Sequence, residues 1–219
     1  MVAAPIASRA IRPRQGLILA AVGSFIGPFL FGVAVATTIG TGIADPEFIS
    51  LPVVIAATQS AVLWALFTWW RGIPSSSSHA LIGGLVGAIG VSAGIEAINF
   101  EGLFRIGLAL VISPVAGLLA GFLLMRITLY LLRGASPRIN KTLKRGQLVS
   151  SFGLALSQGT NDAQKVMGII AMGLVAEGLL PGFIVPTWVT LLSASAIAVG
   201  TALGGWRLIA TLGYRIYKI

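Results

Sequence analysis

Long apolar runs decide what this chain can fold into. Residues 16–39, 51–70, 80–94, 104–132, 147–176 and 183–203 are predominantly apolar, and most of the charge falls between them. About 20 apolar residues in a helix cross the hydrocarbon core of a bilayer. Lipid offers no water to backbone groups, so such runs must be helices that satisfy their own N–H and C=O groups. Of the 219 residues, 56% are hydrophobic and 10% charged, whereas soluble domains carry roughly 25% charged residues. The expected fold is an all-α, polytopic membrane helix bundle. Twenty-eight glycines suit it, because small residues let helix backbones approach closely in lipid.

The net charge of +9 raises nucleic acid as a partner, but its distribution excludes it. Arg9, Arg12 and Arg14 precede the first run, and Arg133, Arg138, Lys141, Lys144 and Arg145 crowd one connection. Asp45, Glu47, Glu96, Glu101 and Glu177 occupy the alternate connections. Basic and acidic connections that alternate are the mark of the positive-inside rule. With the basic N-terminus cytoplasmic, every later connection takes the side its charge demands, and the basic loop 133–146 is cytoplasmic in a cell-membrane protein. Residues 51–94 satisfy that parity either as two spans or as a re-entrant hairpin with its serines at the tip. The absence of cysteine excludes disulfides and thiolate chemistry. One histidine and six acids offer no multi-ligand metal centre, and no cofactor is expected.

Inside the run 147–176 sits an expensive cluster: Gly159, Thr160, Asn161, Asp162, Ala163, Gln164 and Lys165. Ionisable groups at membrane depth mark the path of a polar solute or ion. Gly159 and Thr160 are expected to interrupt the helix, since broken helices build transporter sites at mid-membrane. Asp162 is the acid within this apolar run, and Thr160, Asn161 and Gln164 add neutral oxygens. That is a hard-cation ligand set suited to Na⁺, and the only metal expected is Na⁺ at Asn161 and Asp162. Lys165, three residues on, shares a helix face with Asp162. A packing ion pair is the alternative, though such pairs stabilise weakly when buried.

A second cluster is Pro74, Ser75, Ser76, Ser77, Ser78 and His79. Pro74 enforces a turn and the serines cap the next helix. Free N–H groups and hydroxyls at a helix N-terminus bind anions, and an ordinary cap in a polar loop is the competing reading. His79 offers a proton relay or a donor to an anion, against a structural role. Thr58 and Gln59 are expected to bond neighbouring helices, Arg105 and Arg126 to snorkel, and Trp64, Trp69 and Trp70 to form an interfacial belt. A Ser–His–Asp hydrolase lacks support from spacing or from a Gly-x-Ser-x-Gly elbow, so no enzyme is expected.

A faint internal repeat runs through the ends of the chain. Gly27, Leu30, Gly32, Thr38 and Gly40 match Gly200, Leu203, Gly205, Thr211 and Gly213 at an offset of 173. The topology makes the two copies inverted, as transporter repeats often are. The same offset carries the twin of the Asp162 cluster before Met1 and the twin of the serine run beyond Ile219. The chain thus reads as a fragment: residues 1–132 as part of a first repeat without its first helix, then the loop 133–146, then 147–219 as part of a second repeat without its C-terminal helices.

These residues resemble the inorganic phosphate transporter (PiT) family. The run from Gln158 through Asn161, Asp162 and Lys165 to Gly168 is similar to one copy of its signature. Trp69, Trp70 and Arg71 through the serines and His79 to Gly84 are similar to its serine-rich hairpin. Gly27, Pro28 and Phe29, and Gly204, Gly205, Trp206 and Arg207, match as well. The resemblance implies an inverted-repeat secondary transporter that moves inorganic phosphate by symport with Na⁺ or H⁺. It places the coupling ion at Thr160, Asn161, Asp162 and Gln164, and phosphate at Ser75, Ser76, Ser77, Ser78 and His79. Another oxyanion such as sulfate, or a non-transporting membrane assembly subunit, is the alternative. The lipid bilayer is a partner, and homo-oligomerisation stays open.

Overall fold

The computed structural model describes residues 2–73 and 75–211, with side chains described as far as Gly205, Ala3 and Pro74 aside. The turn expected of Pro74 and the end of the second repeat copy at Gly213 therefore lie outside the described residues, as does most of 206–219, a segment whose sequence suggests an interfacial end and whose first residues continue α8. Among the described residues the elements are helical: α1 (Ala3–Ala7), α2 (Pro13–Leu30), α3 (Ala34–Gly42), α4 (Leu51–Arg71), α5 (Ser77–Ala93), α6 (Phe100–Leu131), α7 (Ile139–Ala176) and α8 (Thr187–Thr211). Short 3-10 turns at Pro46–Phe48 and Ile95–Ala97 complete them.

Helices α4, α6 and α8 are each long and apolar enough to cross a membrane, and α2 with α3 makes a further span bent by 69°. The chain is a membrane protein. Helix α6 carries no buried residue along its 32 and runs through Pro114 as one helix. Helix α7, at 38 residues, is about 57 Å long. It is not among the spans defined by length and apolarity alone, because the cluster at its centre is polar. Instead it is packed from Ser151 onward: α2, α3 and α8 lie on it, with lighter contact from α4.

Glycines set the distance between α2 and α7. A side chain at Gly23 would strike Ala155, one at Gly27 would strike Leu156 and Thr160, and one at Gly159 would collide with the backbone of Ser24. Backbones meet here as small residues allow in lipid. Nine residues after Gly159, and so on the opposite face of α7, Gly168 lies against the backbone of Ala36 in α3.

The break expected at Gly159 and Thr160 lies instead in the first apolar run, where Gly27 and Pro28 predict a kink, a few residues beyond them. Helix α7 runs unbroken through Gly159 and Thr160. Gly159 serves the close approach to Ser24, and the Thr160 hydroxyl donates to the Leu156 carbonyl at 2.7 Å, a bond that stays within the helix. The interruption falls at Phe31–Val33, between α2 and α3. Pro28 sits inside α2, while Gly32 takes φ +67°, a left-handed conformation that costs a glycine nothing. The basic connection is also shorter than 133–146, since α7 begins at Ile139 and carries Lys141, Lys144 and Arg145 on its first turns.

Helices α4 and α5 form an antiparallel hairpin whose serines are at the tip. Ser77 lies beside Lys165 of α7, eleven residues from the end of that helix at Ala176, or about 16 Å along its axis. The hairpin tip therefore lies beside the polar segment of α7; α4 is long enough to cross a bilayer, and its return helix α5 has 17 residues, at the lower limit for a span.

The connections sort by charge. Asn99 donates its backbone N–H to the Ile43 carbonyl at 2.9 Å, Ala44 bridges Ile98, and Phe183 covers Gly40. Asp45, Glu47, Glu96 and Glu177 thus gather at one end. At the other, Ser8 donates to Gln147 at 2.6 Å, which brings Arg9 and Arg12 to the basic start of α7. Between the ends, Ile39, Ile43, Val53, Leu85, Ile89, Ile169 and Met172 form the apolar core of α3, α4, α5 and α7.

Candidate functional site

At 100° per residue, the polar segment of α7 presents two adjacent faces. Ser157, Thr160, Asn161 and Gln164 share one; Gln158, Asp162 and Lys165 share the other.

The first face closes on the α2–α3 break. Gln164, fully buried, donates from Nε2 to the Gly32 carbonyl at 2.6 Å and accepts from the Val35 N–H through Oε1 at 2.8 Å. A broken helix leaves orphan carbonyls on one side and orphan N–H groups on the other, and one side-chain amide answers both. Beside it Phe31, Ala34, Val35, Ser157, Thr160, Asn161 and Gln164 line a cavity of about 290 Å³. The carbonyl end of α2 and the N–H end of α3 border the same space, as in the discontinuous helices of transporters.

The second face carries the charge. Lys165 Nζ donates to Asp162 Oδ1 at 2.9 Å, with the lysine side chain 8% exposed and the aspartate 30%. Gln158 Nε2 approaches Asp162 Oδ2 at 3.5 Å. Lys165 also reaches Ser77 Oγ of the hairpin at 3.5 Å, so the two clusters, 88 residues apart in sequence, meet here.

At the hairpin tip Ser76 is the N-cap of α5, its hydroxyl accepting the His79 N–H at 3.4 Å. Ala80 N–H bonds the Ser76 carbonyl, which leaves the first-turn N–H groups of Ser77 and Ser78 open. Ser75 accepts from the Trp64 indole at 3.1 Å, so Trp64, two turns before the end of α4, holds the turn. Ser75, Ser76 and Ser77 are exposed, Ser78 is half-buried and the His79 side chain is exposed.

The structure thus brings Thr160, Asn161 and Gln164 together at the break, and Asp162 with Ser77 through Lys165. It separates Asp162 from the cavity at the break. Two features were missed by sequence reasoning: the contact of Lys165 with Ser77, and the cavity wall supplied by Phe31, Ala34 and Val35. The three-residue spacing of Asp162 and Lys165 signalled the pair but not its neighbour. Elsewhere Thr58 bonds back to the Val54 carbonyl of its own helix, and Arg105 pairs with Glu101 at the surface.

Here a broken helix and a helical hairpin meet on one polar helix of a membrane bundle, and discontinuous helices of this kind recur in transporters. The chain belongs to the phosphate transporter family, which it matches over residues 1–219. It is 43% identical over 220 residues to a probable low-affinity inorganic phosphate transporter of Rhizobium meliloti (strain 1021), covering 100% of this chain and 66% of that protein. It is 40% identical over 222 residues to a protein of the same name from Bacillus subtilis (strain 168), again covering 100% of this chain and 66% of the relative. The chain therefore spans just under two thirds of the length of these relatives. Among solved structures it superposes on a sodium-dependent phosphate transporter with TM-score 0.78 and 20% identity, over 97% of this chain and 72% of the other. That likeness shows that the two share a fold.

Proposed function

We propose that the protein carrying this chain moves inorganic phosphate across the cell membrane by symport with Na⁺ or H⁺. In this reading Thr160, Asn161, Asp162 and Gln164 serve the coupling ion: Asp162 supplies its charged ligand, and Thr160, Asn161 and Gln164 line the cavity on the adjacent face of α7. Ser75, Ser76, Ser77, Ser78 and His79 serve phosphate, through hydroxyls and the open N-terminus of α5. Residues 1–132 and 147–219 belong to the two repeats, and the basic connection between them faces the cytoplasm.

One observation carries the proposal: the only acid in the polar segment and the serine turn stand on either side of the same buried ammonium. A cation site and an anion site so close attract each other's ligands, which is the electrostatic requirement of symport. The names of the relatives, and membership of the family, support phosphate as the anion. The sodium-dependent neighbour supports Na⁺ as the coupling ion.

The test is uptake of labelled phosphate by proteoliposomes holding the whole protein, under an imposed Na⁺ gradient or an imposed proton gradient. Accumulation with one gradient, resisted by excess sulfate, is expected. Sulfate that competes on equal terms would replace phosphate with a broader oxyanion, and no accumulation under either gradient would leave an assembly subunit.

A further inference from the structure

Lys165 is a buried ammonium that the ion and phosphate assignments leave unused. It has three N–H donors. One meets Asp162 at 2.9 Å, and a second approaches Ser77 at 3.5 Å, beyond the usual range of 2.7–3.2 Å for such a bond. Its charge is balanced by one carboxylate, and its loosest contact points at the first residue of α5, where the N–H groups of Ser77 and Ser78 are open.

We propose that Lys165 exchanges partners during the cycle: it neutralises Asp162 in the empty site, and it contacts phosphate once a cation has taken Asp162. The inference rests on the reading that Asp162 holds the coupling ion and the serine turn holds the anion. Charge makes the exchange favourable. Asp162 and Lys165 sum to zero. Adding one monovalent cation and one dihydrogen phosphate keeps the sum at zero, whereas either ligand alone leaves an unbalanced charge where the dielectric is low. A proton on Asp162 has the same effect as Na⁺, since each removes the carboxylate's claim on the ammonium. Lys165 is therefore the element through which each ligand raises the affinity of the other, by equal factors.

The test measures equilibrium binding of labelled phosphate to the whole protein in detergent, across a series of Na⁺ concentrations and a series of pH values. Wild type binds phosphate more tightly as the cation rises. Lys165→Gln is expected to weaken phosphate about tenfold or more, the worth of one charged hydrogen bond, and to flatten the cation dependence. Lys165→Arg keeps the charge and is expected to restore most of that dependence. Should the single variant fail to fold because Asp162 is left unpaired, Asp162→Asn with Lys165→Gln removes both charges together. That double variant is expected to bind phosphate weakly and without response to the cation. Tight binding that still steepens with the cation in Lys165→Gln or in the double variant would overturn the exchange. Absence of phosphate binding in wild type under every cation condition would instead overturn the functional reading beneath it.

Discussion

Gln164 donates to the carbonyl of Gly32 at 2.6 Å, and its other amide atom accepts from Val35, so one buried side chain holds both lips of the α2–α3 break. The break is the lining of the cavity beside Thr160 and Asn161, which makes Gln164 the residue that gives that cavity its shape.

Gln164→Leu removes both bonds while keeping the volume. Both backbone groups belong to exposed residues and their bonds are part-buried, so each lost bond is worth about 0.5–1.5 kcal/mol and the variant should lose roughly 1–3 kcal/mol of stability. Faster hydrogen exchange at Ala34 and Val35, with little change in α4 and α5, is the expected reading. Unchanged exchange across the break would show that Gly32 and Pro28 hold it unaided.

Glycine packing makes a paired prediction. Gly159→Ala should separate α2 from α7, because its new methyl meets the Ser24 backbone; overpacking of this kind costs about 1–3 kcal/mol. Gly153→Ala, six residues earlier on the same helix, meets nothing within 4 Å. It should gain up to about 1 kcal/mol from helix propensity. Thermal unfolding in one detergent compares the two, and equal shifts would contradict the packing.

The Asp162–Lys165 pair is asymmetrically buried, and its singles should reveal that. Lys165→Met strands a carboxylate that still has partial access to solvent, at a cost of roughly 2–3 kcal/mol. Asp162→Asn strands a nearly buried ammonium, at roughly 3–5 kcal/mol. The double variant should recover most of both losses. A double-mutant cycle on the unfolding midpoint measures the coupling, and additive losses would mean that the pair is not formed.

Much of this architecture was legible in the sequence, because membrane helices announce themselves through length and apolarity. The polar segment 159–165 was legible for the same reason in reverse. Position within the bundle was not. Gly159 looked like a helix breaker because glycine breaks helices and also lets them touch, and only the presence of Ser24 across the interface decides between these. Gly32 looked ordinary until Gln164, 132 residues later, supplied the partners that a break requires. The meeting of Lys165 with Ser77 depends on how deep the hairpin reaches, a property of packing that no local pattern records.

Ser76 caps α5 with a long bond, so Ser76→Ala should cost about 0.5–1 kcal/mol. Amide exchange at His79 and Ala80 should rise, with the rest of α5 unchanged. Protection that persists at His79 would assign the cap to a different hydroxyl.

The most direct test of the proposed coupling is phosphate uptake by proteoliposomes containing the whole protein, wild type against Asp162→Asn, under the gradient that drives the wild type. The account predicts that Asp162→Asn loses gradient-driven accumulation by about a hundredfold or more, the consequence of removing a charged ligand from a buried cation site at 3 kcal/mol or above. Accumulation by Asp162→Asn at the wild-type rate, with the same dependence on the cation, would contradict it.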